Sequence, residues 1–121
     1  SLVIGAVTAL ISRFVIDWRT RSKIDDTLDV FPSHGVGGMV GMLLTGVFAS
    51  KQINPAIEGN GLFYGETSLF TAHVIGLIGA TVFTLVLAFI LLTICDMISP
   101  LRVSEAEEEA GLDLSQHGEK L

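Results

Sequence analysis

The chain has 121 residues, half of them hydrophobic and only 17% charged, and its mean hydropathy is +0.63. A soluble domain of this size carries more polar surface than that, so a membrane protein is expected. The net charge of −6 is gathered at one end, where residues 101–121 hold six acidic and two basic groups; with no basic stripe, nucleic acid is not an expected partner.

The first apolar run extends from Leu2 to Ile16 and is broken only by Ser12 and Arg13. At ~1.5 Å per residue it covers roughly 22 Å, short of the ~30 Å hydrocarbon core. The chain starts at Ser1 without a methionine and is apolar from Leu2. It lacks the basic region and small-residue cleavage site of a signal peptide. Residues 1–16 are therefore expected to be a truncated transmembrane helix, and the chain a piece of a longer protein.

Residues 17–29 read as a polar connection. Residues 30–50 read as a second transmembrane helix, with no charged residue from Val30 to Ala49 apart from the titratable His34. Residues 51–67 form a turn-rich connection in which Asn60-Gly61 could close a small hairpin. Residues 68–99 form a long third helix, tilted because its apolar part alone would reach about 39 Å. Residues 100–121 are a polar, acidic tail. The runs are long and show no period-two alternation, so helices are expected rather than barrel strands.

Charge sets the orientation. Arg13, Arg19, Arg21 and Lys23 cluster about the first connection, whereas the second carries only Lys51 against Glu58 and Glu66. By the positive-inside rule the first connection is cytoplasmic and the second is outside. The third helix then returns the chain to a cytoplasmic tail that begins near Arg102. Trp18 would lie at the inner interface.

His34 stands out. An ionisable group within a span costs free energy and usually lines a pathway or meets a partner. Pro32 allows two geometries. A helix could start near Asp26, whose carboxylate suits a helix N-terminus. Alternatively, extended chain could enter the protein and the helix start at Pro32, a favoured first-turn residue. An imidazole so placed can relay protons, ligate a metal or hydrogen-bond a neighbour. Metal is disfavoured because no second ligand lies at i+3 or i+4; the other uses stay open. Gly37, Gly41 and Thr45 form a small-residue row for close packing, as do Ala72, Gly76, Ala80, Thr84 and Ala88. His73, near the outer end of the third helix, reads as interfacial or hydrogen-bonded. The single Cys95 forms no intrachain disulfide, and no cofactor or metal motif is present.

Three blocks carry a resemblance. Asp26-Thr27-Leu28-Asp29-Val30-Phe31-x-x-His34-Gly35-Val36-x-Gly38 resembles the late-helix signature of the ammonium transporter (methylammonium permease, Rhesus) family. Asp96-Met97-Ile98-Ser99-Pro100-Leu101-Arg102-Val103 resembles that family's exit from the last helix. Glu109-x-Gly111-Leu112-Asp113-Leu114-Ser115-x-His117-Gly118-Glu119 resembles its cytoplasmic tail. The resemblance implies an all-α membrane protein of eleven spans, of which this chain supplies the last three and the tail. It implies a multi-pass cell-membrane homotrimer, not an enzyme, with one pore per protomer for ammonium or ammonia. His34 matches the second of two pore histidines, the first of which belongs to an earlier helix, so the isolated chain is expected to be inactive. Val30 and Phe31 match positions beside the pore. Asp26 and Asp29 match acidic positions at the helix start, read as structural caps and anchors. Arg102, Gly111, Leu112, Asp113, His117 and Gly118 match a regulatory tail, to which a PII-type nitrogen-regulatory protein can bind. Pro32-Ser33 departs from the Gly-Val pair of better-known members. An alternative is an ammonium sensor or signalling scaffold acting through the tail. A plain membrane anchor would leave His34 and its flanking motif unexplained.

Overall fold

The computed structural model describes residues 1–118. Helices account for every regular element among the described residues. The chain divides into two compact units, Ser1–Ala80 and Thr81–Leu121.

In the first unit, helix α1 spans Leu2–Thr20. It continues four residues past the expected boundary at Ile16, taking in Asp17, Trp18 and Arg19. Loss of apolarity marks where a helix leaves hydrocarbon, not where its backbone stops. The Arg13–Asp17 pair at 3.0 Å, one turn apart, lies on that continuing surface, although such an exposed pair stabilises little. The helix stops where the Ser22 hydroxyl donates to the Arg19 carbonyl at 2.7 Å, occupying an end carbonyl.

The next helix begins at Val30 and runs through a π-helical turn, Phe31–Val36, into α2, Gly37–Phe48. Pro32 falls in the first turn and is fully buried. Its missing N–H costs nothing there, because first-turn donors have no intrahelical partner. The helix start lies between the two geometries open from sequence: it falls at Val30, with the Asp26 carboxylate at its N-terminus and Pro32 in its first turn. The turn and α2 both pack on α1.

The small-residue row of α2 is divided. A Cβ on Gly37 would lie 3.6 Å from Ser12 Oγ and 3.7 Å from Thr8 Cγ2 of α1, whereas one on Gly41 would meet nothing within 4 Å. Gly46, outside that row, is where α2 comes against the backbone of another helix. A Cβ there would lie 3.2 Å from the Phe70 Cα of α3, the helix spanning Ser68–Ile98.

Between α2 and α3 the chain folds back over the end of α2. Gly61 N–H donates to the Ala49 carbonyl at 2.8 Å, and a 3-10 turn, Leu62–Tyr64, follows. The Phe63 ring packs against Phe48 at a centroid distance of 5.7 Å. Asn60-Gly61 does not close a strand hairpin. The Asn60 side chain instead accepts from Lys51 N–H at 2.9 Å and donates to Glu66 Oε1 at 2.7 Å.

In the second unit, α3 continues from Thr81 to Ile98 with every residue from Val82 onward exposed. Helix α3 is long and apolar enough to cross a membrane, with a mean hydropathy of 2.7 over its best window. At 31 residues it is roughly 46 Å long. An apolar surface presented on all sides suits lipid or neighbouring helices rather than water. In the last turn of α3, Asp96 accepts from Leu101 N–H at 2.9 Å. A short helix α4, Glu105–Ala110, opens with a capping box in which Ser104 and Glu107 satisfy each other's backbone N–H.

Candidate functional site: the His34 turn

The His34 turn is held at its base by two carboxylates from the loop before it. Asp26 places one oxygen 2.9 Å from Val30 N–H and the other 2.9 Å from Phe31 N–H. It thereby occupies two of the donors that every helix start leaves free. A negative charge there is also favoured by the helix dipole. Asp29 takes a left-handed backbone conformation, φ 53°, which is uncommon for non-glycine residues, although aspartate adopts it more often than most. Its carbonyl accepts from Ser33 N–H at 3.0 Å and from the Ser33 hydroxyl at 2.6 Å. Its carboxylate pairs with the Arg19 guanidinium of α1.

Above this base, the π-helical turn presents His34 on an exposed surface, with Val30 and Phe31 half-exposed beside it. The Phe31 ring lies over Gly35, where a Cβ would come within 2.9 Å of Cδ2. Gly35 is therefore the residue that lets the ring lie flat along the turn. Helical spacing carries the His34 face on to Gly38 and Thr45, both exposed, while Gly37 and Gly46 are buried on the other sides. A single wider turn in a helix re-aims the side chains around it, and such turns recur at functional sites.

His73 of α3 meets α2 directly. Its Nδ1 lies 2.8 Å from the Met42 carbonyl oxygen. A carbonyl only accepts, so Nδ1 carries the proton and donates. The sequence offered interfacial or hydrogen-bonded roles for this residue, and the hydrogen-bonded one is found.

The tail residues are drawn together only in part. Arg102 pairs with Glu108 at 3.3 Å, both well exposed. Gly111 and Gly118 take positive φ, 91° and 70°, at the ends of α4 and of the π-helical turn Asp113–His117. Leu112 is half-exposed beside that turn, Asp113 begins it and His117 closes it. Ser115 ties the two pieces by donating to the Glu107 carbonyl at 3.3 Å and the Gly111 carbonyl at 3.0 Å. The Ser104 hydroxyl and backbone N–H hold the Glu107 carboxyl below its ordinary range. Glu119 lies outside the described residues.

Arg19 had no signal of its own in the sequence beyond its membership of a basic cluster. Only packing of α1 on the His34 turn brings it to Asp29. Gly46 and Gly61 were likewise visible as glycines but not as contact points.

These features define a class: an all-helical membrane protein with a histidine-bearing helix braced from its neighbours. The sequence profile described as Ammonium Transporter Family matches residues 1–121. The chain is 37% identical over 121 residues to an ammonium transporter of Bacillus subtilis, covering 99% of this chain and 30% of that protein. It is 39% identical over 122 residues to one of Aquifex aeolicus, covering 99% of this chain and 28% of that protein. Against one of Archaeoglobus fulgidus it is 35% identical over 119 residues, covering 98% and 30%. The chain belongs to the ammonium transporter family, and it spans about 30% of the length of the curated relatives it matches.

Proposed function

We propose that the protein containing this chain moves ammonium or ammonia across the cell membrane through a hydrophobic pore, with His34 as a pore residue. The observation that supports this most is the His34 turn itself: an exposed imidazole on a π-helical turn whose base is held by Asp26, Asp29 and Arg19. Val30 and Phe31 stand beside the pathway. A second imidazole, from a helix that precedes this chain, faces His34. In a dry pore, desolvation and like-charge repulsion disfavour protonating both rings. The pair then shares one proton and passes it on while neutral ammonia moves separately. One imidazole cannot do this, so the isolated chain does not conduct.

The same reading makes the intact protein a multi-pass homotrimer of eleven-helix protomers with a cytoplasmic C-terminus. Its tail, Arg102 to Gly118, offers a docking face for a PII-type regulatory protein. The relatives are named as transporters, which favours transport over the signalling alternative. Replacing His34→Ala in the full-length protein is expected to alter methylammonium uptake while the trimer still assembles. Unchanged rate and selectivity in that variant would refute the pore role.

A further inference from the structure

Resting on that transport reading, we propose that Arg19 is a positioning residue for the pore: through Asp29 it fixes the turn on which His34 stands. The route is short. The Arg19 side chain is mostly buried, and its Nη2 pairs with Asp29 Oδ1. Asp29 is the single non-glycine residue with positive φ among the described residues. In that conformation its carbonyl receives both the backbone N–H and the hydroxyl of Ser33, the residue next to His34.

A left-handed aspartate costs conformational energy and persists only where its surroundings over-determine it. Two contacts do so here: the ion pair from α1 and the two hydrogen bonds donated by Ser33. The ion pair is the one that reaches across to another element. Arg19 Nε is also buried without a hydrogen-bond partner. The guanidinium is thus committed to this place at a cost, which a solvated surface arginine would not bear. A lysine in its place would bring charge but not the planar, pre-set donor array. The arrangement couples the end of one helix to the angle at which the next presents its imidazole.

Left-handed geometry supplies a specific test, because glycine adopts φ 53° with no partner to hold it. In the full-length protein, uptake is measured as maximal rate per transporter in the membrane, together with KM, for R19A, D29G and R19A/D29G. H34A serves as the reference for loss of the pore residue. R19A is expected to lower the rate per transporter on the order of tenfold with KM unchanged, because misplacing a working group costs turnover. The double variant is expected to recover most of that loss, since the backbone is relaxed and no charge is left unpaired. D29G alone, which strands the buried guanidinium, is expected to fall below the double variant. A double variant as impaired as R19A, or an R19A rate equal to wild type, would overturn the proposal. A role in assembly alone would change transporter number and leave the rate per transporter intact. If R19A does not reach the membrane, Arg19→Gln with and without D29G repeats the comparison: recovery in the double variant supports the positioning role, and no recovery overturns it. The two readings fail separately. An H34A protein with unchanged rate and selectivity removes the transport reading. An altered H34A protein beside wild-type Arg19 variants removes only the positioning role.

Discussion

Gly46→Ala tests how the helix carrying His34 is seated. A Cβ at Gly46 would lie 3.2 Å from the Phe70 Cα, 3.2 Å from His73 Nδ1 and 3.3 Å from His73 Cβ. These separations are a few tenths of an ångström too short, and the Phe70 Cα is backbone that cannot swing aside. Helix α3 must therefore move away from α2, and the 2.8 Å contact of His73 with the Met42 carbonyl must lengthen. Overpacking of this kind costs about 1–3 kcal/mol, and an interhelical hydrogen bond in a membrane contributes about 0.6–2 kcal/mol. A loss of roughly 2–5 kcal/mol is expected for G46A from these two sources. His73→Ala should lose only the hydrogen-bond part. The double variant should fall short of the sum, because it has no hydrogen bond left to lose, yet it should stay well below H73A because the Phe70 Cα still stands in the way. The assay is equilibrium unfolding of the full-length protein in detergent, read as a double-mutant cycle. Stability of G46A within about 0.5 kcal/mol of wild type, on the scale of ordinary surface changes, would refute the close-packed seat. Full additivity would refute the shared contact.

Gly61→Ala should be harsher, because its Cβ would come within 2.6 Å of the Val47 carbonyl carbon and 2.7 Å of the Gly46 oxygen. Restoring a carbon–oxygen separation of ~3.3 Å requires the connection between α2 and α3 to shift by at least about 0.6 Å. That breaks the bond from Gly61 N–H to the Ala49 carbonyl, and faster amide exchange at Gly61 would report it. The connection between α2 and α3 should also loosen in acid. The Asn60 side chain, helped by its backbone N–H and by Lys51, and opposed by desolvation, holds the Glu66 carboxyl below its ordinary value of 4.5. A lowered folded value means the unfolded chain binds the proton more readily. The contribution is then fully present above the ordinary value and is lost as pH falls through the lower, folded one. Protection of the Asn60 amide, its exchange measured against the intrinsic rate at each pH, should fall in that acid range and lose its pH-linked part in Glu66→Gln; an identical pH response in both proteins would refute the clamp.

Helices rather than strands, and one long apolar helix, were legible in the sequence alone. Apolar run length and charge are properties of the chain, and they survive any packing. The signature around His34 was legible too, because family motifs are local in sequence. The remaining features depend on which elements meet in space. Pro32 permitted two helix starts, and the one observed, at Val30, falls between them because the Asp26 carboxylate reaches Val30 and Phe31 N–H. The extension of α1 to Thr20 escaped the hydropathy reading because backbone hydrogen bonding does not end where apolarity does. Gly37 and Gly46 became contact points, and Gly41 an open one, only once neighbouring helices took their places. Arg19 looked like one charge in a basic loop; ten residues separate it from Asp29, and no spacing rule joins them. A pair of that kind forms when a helix and a loop meet in space, and packing, not local pattern, sets where they meet.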